Sequence, residues 1–273
     1  MKIHTREKSF GPVASILLAR PIFGKVFYSV RLYAVDGVAF DTGQSRCRAE
    51  ADRFVGAQSV QTILMTHHHE DHSGNGRFFK DRRGMRLLGH PAFARFSREG
   101  IDIPFYRGAV WGDAETYDVD PVGASFETGR YRFEAIHTPG HSDDHLVYFE
   151  RNNGWLFSGD LYIASKIKIF RFDEDFTQAL DSLEQVARLD FDCLFCAHNP
   201  KPKGGKTAID EKIDWFRGLN EKVTSLHHQG YPDKTIRDRV LGREEAFSYV
   251  SRFQFSKLNL VRSILKGCPT AKP

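Results

Sequence analysis

The order of apolar and polar positions divides the chain into two strand-rich stretches followed by a helical one. Apolar alternation over residues 26–30 and 31–35, the Asp36-Gly37 turn and Val38-Ala39-Phe40 predict neighbouring strands that end on Asp41-Thr42-Gly43. A helix is expected over about 49–54, then a β-branched strand over 60–65 that runs into Thr66 and a histidine cluster. A second helix–strand stretch closes on Arg86-Leu87-Leu88-Gly89, and residues 100–113, with Pro104, several glycines and Trp111, read as a loop excursion. The pattern then repeats in kind: strand 131–136, polar turn Thr138-Pro139-Gly140-His141, strand 146–149, turn Asn152-Asn153-Gly154, strand 155–157 and Ser158-Gly159-Asp160. An amphipathic helix over 177–189 leads to the apolar run 191–197 and His198. Each half thus places His and Asp at strand ends, where loops carry chemistry.

After Pro200 the pattern changes. Lys201-Pro202-Lys203-Gly204-Gly205-Lys206 is a basic Pro/Gly linker, and helical spacing follows over about 208–228, 233–241 and 256–266. The division expected is a catalytic domain over 1–205 and a basic helical extension over 206–273, in line with a length of 273 residues. Charge supports the boundary. The whole chain carries only +4, but from Lys201 onward there are 15 Lys and Arg against 8 Asp and Glu, leaving the preceding part slightly acidic. With 41% hydrophobic and 27% charged residues, collagen-like, coiled-coil and largely disordered readings are excluded. There is no signal-peptide apolar block and no apolar stretch of membrane-spanning length, so a cytoplasmic protein without membrane attachment is expected. The four scattered cysteines, Cys47, Cys193, Cys196 and Cys268, fit reduced thiols. Cys193 and Cys196 form a C-x-x-C inside an apolar run, which favours core packing over redox chemistry. Gly205-Lys206-Thr207 lacks the upstream glycine of a phosphate-binding loop, and no G-x-S-x-G of a serine hydrolase occurs.

The chemistry lies in Thr66-His67-His68-His69-Glu70-Asp71-His72-Ser73-Gly74. In an extended segment, imidazoles two positions apart point to one side, while the Asp and the next His can turn towards a second ion. Three later strand ends add His141, Asp160 and His198 in glycine- or proline-flanked turns. With Phe40-Asp41-Thr42-Gly43, Thr138-Pro139-Gly140-His141, Ser158-Gly159-Asp160 and Ala197-His198, this ordered set resembles the metallo-β-lactamase superfamily of binuclear metallohydrolases over residues 28–200.

That resemblance implies an α+β fold, a four-layer αβ/βα sandwich with a C-terminal helical extension. It implies that His67, His69 and His141 bind one divalent ion, that Asp71, His72 and His198 bind another, and that Asp160 bridges them. Nitrogen and oxygen ligands suit zinc best and would also accept iron or manganese. Water between such ions is acidified towards hydroxide, and Asp71 is the candidate to orient it and pass a proton to the leaving group. Secreted zinc β-lactamases of the common kind place Cys where Asp160 stands and have no His at position 72. Flavodiiron reductases place Glu where His69 stands, and lactonases tend to have Tyr three residues beyond the bridging Asp, whereas Tyr162 is two beyond. Glyoxalase II-like thioesterases are nearest in plan. A small ester, thioester or lactone, anionic to suit the basic tail, is therefore the expected substrate. A mononuclear iron persulfide dioxygenase, and a nucleic-acid-binding protein or phosphodiesterase of the same fold, are the alternatives. The charge is too mild to favour nucleic acid, and self-association is left open.

Other residues carry weaker expectations. Asp41 is either a hydrogen-bond partner of the ligand loop or a simple turn residue. His68 and Glu70 are expected to face solvent, and His137 and His145 to be satisfied strand-end histidines. His227-His228 caps a helix end. Tyr162, Lys166 and Lys168 could reach a substrate, with solvated lysines as the plain reading. Phe105, Tyr106 and Trp111 are candidate pocket walls.

Overall fold

The computed structural model describes residues 3–22, 24–100 and 103–267; Cys268 lies outside them. Among the described residues the first sheet has the order β1 (His4–Phe10), β2 (Val13–Ala19), β3 (Val30–Val35), β4 (Val38–Phe40), β5 (Thr62–Leu64), β6 (Arg86–Gly89), β7 (Asp120–Pro121). Pairing is antiparallel as far as β4 and parallel from β4 to β7. Parallel neighbours need crossovers. Helix α1 (Arg48–Ala57) lies in the connection from β4 to β5, and α2 (Glu70–Ser73) and α3 (Gly76–Arg83) lie between β5 and β6. Helices α4 (Phe93–Glu99) and α5 (Phe105–Val110) lie between β6 and β7.

The second sheet is built from β8 (Ser125–Glu127), β9 (Arg132–His137), β10 (Leu146–Glu150) and β11 (Trp155–Gly159). A short strand β12 (Phe170–Arg171) then leads to helix α6 (Phe176–Val186) and to β13 (Cys193–Cys196), which pairs parallel to β11 at the edge of this sheet. Helices α7 (Gly205–His228), α8 (Asp233–Val240) and α9 (Ala246–Val250) follow. Strand β14 (Phe255–Ser256) pairs with β12, and α10 (Lys257–Lys266) ends the described chain.

The period of two along the strands produces the layers. Leu32 and Ala34 of β3 face α1 and α3, in a core with Phe54, Ile63 and Phe79, while Tyr33 and Val35 face the second sheet. Leu146 and Tyr148 of β10 meet them across the sandwich. Val147 and Phe149 point the other way, into a core shared with α6, α7, α8 and α10. Phe40 and Phe157 stack between the sheets with centroids 3.6 Å apart. The molecule is therefore an α+β sandwich of helices, sheet, sheet and helices, with α7 onward packed into the fourth layer against α6 and the second sheet. Asp175 and Ser256 cap α6 and α10 by accepting from the backbone N–H of Gln178 and Asn259. No helix among the described residues is long and apolar enough to cross a membrane.

Several sequence expectations need correction. Residues 26–29 are not strand; β3 starts at Val30, and Val26, Phe27 and Tyr28 are exposed. The stretch has strand-like alternation but no partner strand among the described residues. The excursion over 100–113 contains helix α5. The β1–β2 hairpin escapes the pattern because β1 is an edge strand whose residues are mostly polar and exposed. The C-x-x-C reading agrees with the structure: Cys196 is fully buried in β13, and burial pushes its thiol up to about 11.

Candidate metal centre and substrate cavity

The donor residues collect at one edge of the sandwich, where β4, β5, β9, β11 and β13 end. Beyond β5 the chain stays extended through His69, so His67 and His69 project to the same side. Helix α2 then turns Asp71 and His72 away from that line. The segment is tied to both sheets, since Met65 N donates to Leu88 O and Leu146 N to Thr66 O, each at 2.7 Å. Gly159 permits the close approach of the Asp160 turn: its φ is +46°, and a Cβ there would lie 2.8 Å from Thr66 Oγ1 and from His145 Nε2.

Two groups of donors result, His67, His69 and His141 in one and Asp71, His72, Asp160 and His198 in the other; within each group the ligand atoms lie within 4.8 Å of one another. His67 Nε2 and His141 Nε2 lie 2.8 and 2.9 Å from His69 Nδ1. Asp160 faces both groups. Its Oδ1 is 3.3 Å from His72 Nε2 and 3.2 Å from His198 Nε2, while Oδ2 is 3.5 Å from His141 Nε2. Asp71 Oδ2 is 3.5 Å from His198 Nε2.

These residues fit divalent ions. A neutral imidazole has one N–H and one lone pair, so three ring nitrogens meeting at one point cannot all be satisfied by one another. Despite burial, His72 Nε2 and Asp160 Oδ1 have no aligned hydrogen-bond partner among the described residues. A set of five imidazoles and two carboxylates matches a borderline or hard divalent ion.

The far nitrogens of the rings are held in turn. His72 Nδ1 lies 2.7 Å from Asp41 Oδ2, His141 Nδ1 2.5 Å from Glu174 Oε1, and His198 Nδ1 donates to Ser29 O at 2.6 Å. Asp41 also accepts from Thr66 N at 2.7 Å and Thr66 Oγ1 at 2.8 Å, so of the two roles open to it the structure gives the partner of the ligand loop. Its φ of +64° is a conformation that Asp tolerates better than most residues. His145 is buried between Thr138 Oγ1 and Asp160 N, and burial drives it down to about 3; it accepts from Asp160 N and holds the turn.

Electrostatics divide the two groups. Burial, reinforced at His67 by neighbouring imidazoles and at His69 by Arg171 and then by imidazoles, holds both rings well below the ordinary histidine value, so they stand as neutral donors. For His198 burial opposes the charged form, but Asp160 and Asp71 outweigh it and raise the ring to about 9. His72 is raised well above its ordinary value in the same way, by Asp160, Asp71 and Asp41 against burial. Burial alone would raise Asp160, but His198 and His72 hold it well below the usual carboxylate range.

A cavity of about 300 Å³ opens beside the donors, with His69, Asp71, His141, Asp160 and His198 in its wall. Tyr106 and Trp111 line it as expected, whereas Phe105 is 91% exposed and does not. Tyr162, Lys166 and Lys168 do not reach it. Tyr162 is buried in the core with its hydroxyl 3.2 Å from Ser165 Oγ, Lys166 lies over the Trp215 ring at 5.9 Å, and Lys168 is exposed. Besides Asp71 and Asp160, the charged residues of the wall are instead Arg107, Arg171, Glu174 and Lys212. Sequence spacing gives no signal for them except that Arg107 sits in the excursion whose aromatics are candidate walls.

Two residues of the histidine block are not solvent-facing as expected. His68 is buried, 2.8 Å from Asp144 Oδ1 and stacked on Phe96 at 3.7 Å, because the face opposite the donors is covered by α4 and the loop after β9. Glu70 is fully buried and accepts two hydrogen bonds from Arg107 of α5, at 2.7 and 2.5 Å. His137 is satisfied, lying 2.8 Å from Asp143 O and stacked on His90.

The chain belongs to the metallo-beta-lactamase superfamily, whose family description matches residues 38–198, a span that contains all seven donors. It is 33% identical over 199 residues to a protein of Aeromonas hydrophila named hydroxyacylglutathione hydrolase, covering 71% of this chain and 68% of that one. A protein of the same name from Hahella chejuensis is 31% identical over 219 residues, covering 78% and 76%. In fold the chain is similar to a metallo-beta-lactamase family protein from Thermus thermophilus, with a TM-score of 0.70, 22% identity and coverage of 94% and 93% of the two chains.

Proposed function

We propose that the protein is a binuclear metal-dependent hydrolase of an ester, thioester or lactone. The observation that carries this reading is the position of Asp160, whose two carboxylate oxygens address the two donor groups separately. Two hydrolase-named relatives at 33% and 31% identity support it. In this reading His67, His69 and His141 hold one ion, Asp71, His72 and His198 hold the other, and Asp160 stands between them. Bound there, two divalent ions supply Lewis acidity that acidifies water at neutral pH and polarises a carbonyl oxygen. Zinc suits the donors best, and iron or manganese is compatible.

The chain's own residues do the rest. Asp71, on the cavity wall, orients the attacking water and accepts its proton. Water oxygen bonds to the acyl carbon, the acyl C–S or C–O bond breaks, and Asp71 returns the proton to the departing sulfur or oxygen. Asp41, Glu174 and the Ser29 carbonyl keep the imidazoles in register. The four donors of the second group favour this reading over a one-iron oxygenase.

The test is a metal-reconstituted assay across thioesters, lactones, phosphodiesters and a β-lactam, with Asp71→Ala as the blank. Chelator-sensitive turnover of a thioester, ester or lactone, lost in the variant, is expected. Turnover of phosphodiesters alone, or one tightly held iron with oxygen consumption, overturns the proposal.

A further inference from the structure

We infer that the substrate carries an apolar acyl group of about eight to ten carbon atoms, seated in the cavity beside the donors. This rests on the hydrolase reading above and adds the substrate class to it. Three observations carry it.

The first is how the wall is divided. Glu174 holds His141, Arg171 N donates to Glu174 Oε2, Arg107 donates to Glu70 beside Asp71, and Lys212 donates to Leu161 O beside Asp160, so these charged wall residues belong to the metal end. The remainder is hydrocarbon and aromatic surface, including Ile163, Ile167, Ile169, Phe170, Phe216 and Phe255. Pockets of this make-up take ligands whose apolar body is buried and whose few polar groups are fixed at one end.

The second is the state of the cations. Arg107 is held by both oxygens of Glu70, Arg171 donates to Asp173 and Lys212 donates to Leu161 O at 2.6 Å. Lys166 and Lys168 lie off the wall. A substrate with several carboxylates would meet cations already engaged by acceptors of the chain, whereas an acyl chain calls on none of them.

The third is size. An apolar cavity of about 150 Å³ accepts benzene, so one of about 300 Å³ with a polar end holds somewhat less than twice six carbons.

The experiment uses the full-length, zinc-reconstituted protein and one series of thioesters with a common leaving group and linear acyl chains from acetyl to palmitoyl, together with the lactoyl thioester. The expected kcat/KM rises about threefold to fourfold per methylene, the fold-change of burying that group, peaks at octanoyl to decanoyl and falls beyond. Ile167→Trp, with Ile163→Phe as a second variant should the first fold poorly, moves the peak at least two carbons shorter at unchanged metal content. Metal-dependent turnover in which acetyl or lactoyl thioester equals or exceeds octanoyl overturns this inference and leaves the hydrolase reading standing. If no thioester is turned over, the thioester part of the hydrolase reading fails, esters and lactones remain to it, and calorimetry of the metal-free protein with decanol decides the cavity. Micromolar binding with a negative heat-capacity change supports the apolar occupant, and no binding up to the solubility limit overturns it.

Discussion

Replacing Arg107 by methionine strands the carboxylate of Glu70, which is 0% exposed on the side chain, while the guanidinium itself is 13% exposed. Breaking a buried ion pair by removing one partner costs about 3–5 kcal/mol, because the remaining charge is left without compensation. Counting the two charge-assisted hydrogen bonds at about 1.5–3 kcal/mol each gives a similar range. The partial exposure of Arg107 points to the lower end, about 3 kcal/mol. At about 2–4 °C per kcal/mol for a chain of this size, the melting temperature should fall by about 6–12 °C. The measurement is thermal unfolding at saturating metal, so that ion loss does not enter the comparison. Glu70→Gln together with Arg107→Met removes both charges, and the double variant should be more stable than the sum of the two single losses by about 2 kcal/mol. Because Arg107 lies on α5 with Tyr106 and Val110, and Trp111 follows directly, KM should also rise in the single variant. Additivity within about 0.5 kcal/mol, or a melting temperature within about 2 °C of the parent, would refute the idea that this pair fastens α5 to the donor loop.

Asp41→Ala removes acceptors for His72 Nδ1, Thr66 N and Thr66 Oγ1, and should weaken metal affinity by about 10–100-fold, read by competition with a chromophoric chelator. His72→Ala should lower the metal content from two ions to one per chain by elemental analysis while the protein stays folded by circular dichroism. Full activity with one ion would favour a one-metal mechanism. Gly140→Ala places a Cβ 2.3 Å from Ala179 N at a φ of +125°, so a loss of more than about 2 kcal/mol in denaturant unfolding is expected.

What can be read from the sequence, and what cannot, follows from how local each signal is. Strands β3, β4, β5, β6, β9, β10, β11 and β13 and the helices α6, α7, α8 and α10 are legible because apolar runs or amphipathic spacing mark them, whereas β7, β8 and β12 carry no such run. The donors are legible because their types and strand-end turns are sequence properties. Glu70, His68 and the α5 segment defeat such a reading because their environment is set by residues far along the chain, Arg107 lying 37 positions from Glu70 and Asp144 lying 76 from His68. A charge beside a solvated motif and a charge locked under a distant helix look the same in sequence. Tyr162, Lys166 and Lys168 attract attention because they follow Asp160 closely, yet nearness in sequence is not nearness to the cavity. Lys212 and Phe216 line it from 52 and 56 residues beyond Asp160, across a fold that brings α7 back over the second sheet.

The packing of α7 onward into the fourth layer gives the cavity a wall of two origins. Every donor lies within residues 38–198, the part that matches the family, while Lys212, Phe216, Phe247 and Phe255 reach the cavity from outside it. The wall is thus composite: the donors and part of its apolar surface, Ile163, Ile167, Ile169 and Phe170 among it, come from the matched span, and more of that surface comes from the last quarter of the chain. Substitutions in that last quarter can therefore reshape part of the cavity wall without touching one imidazole of the donor set.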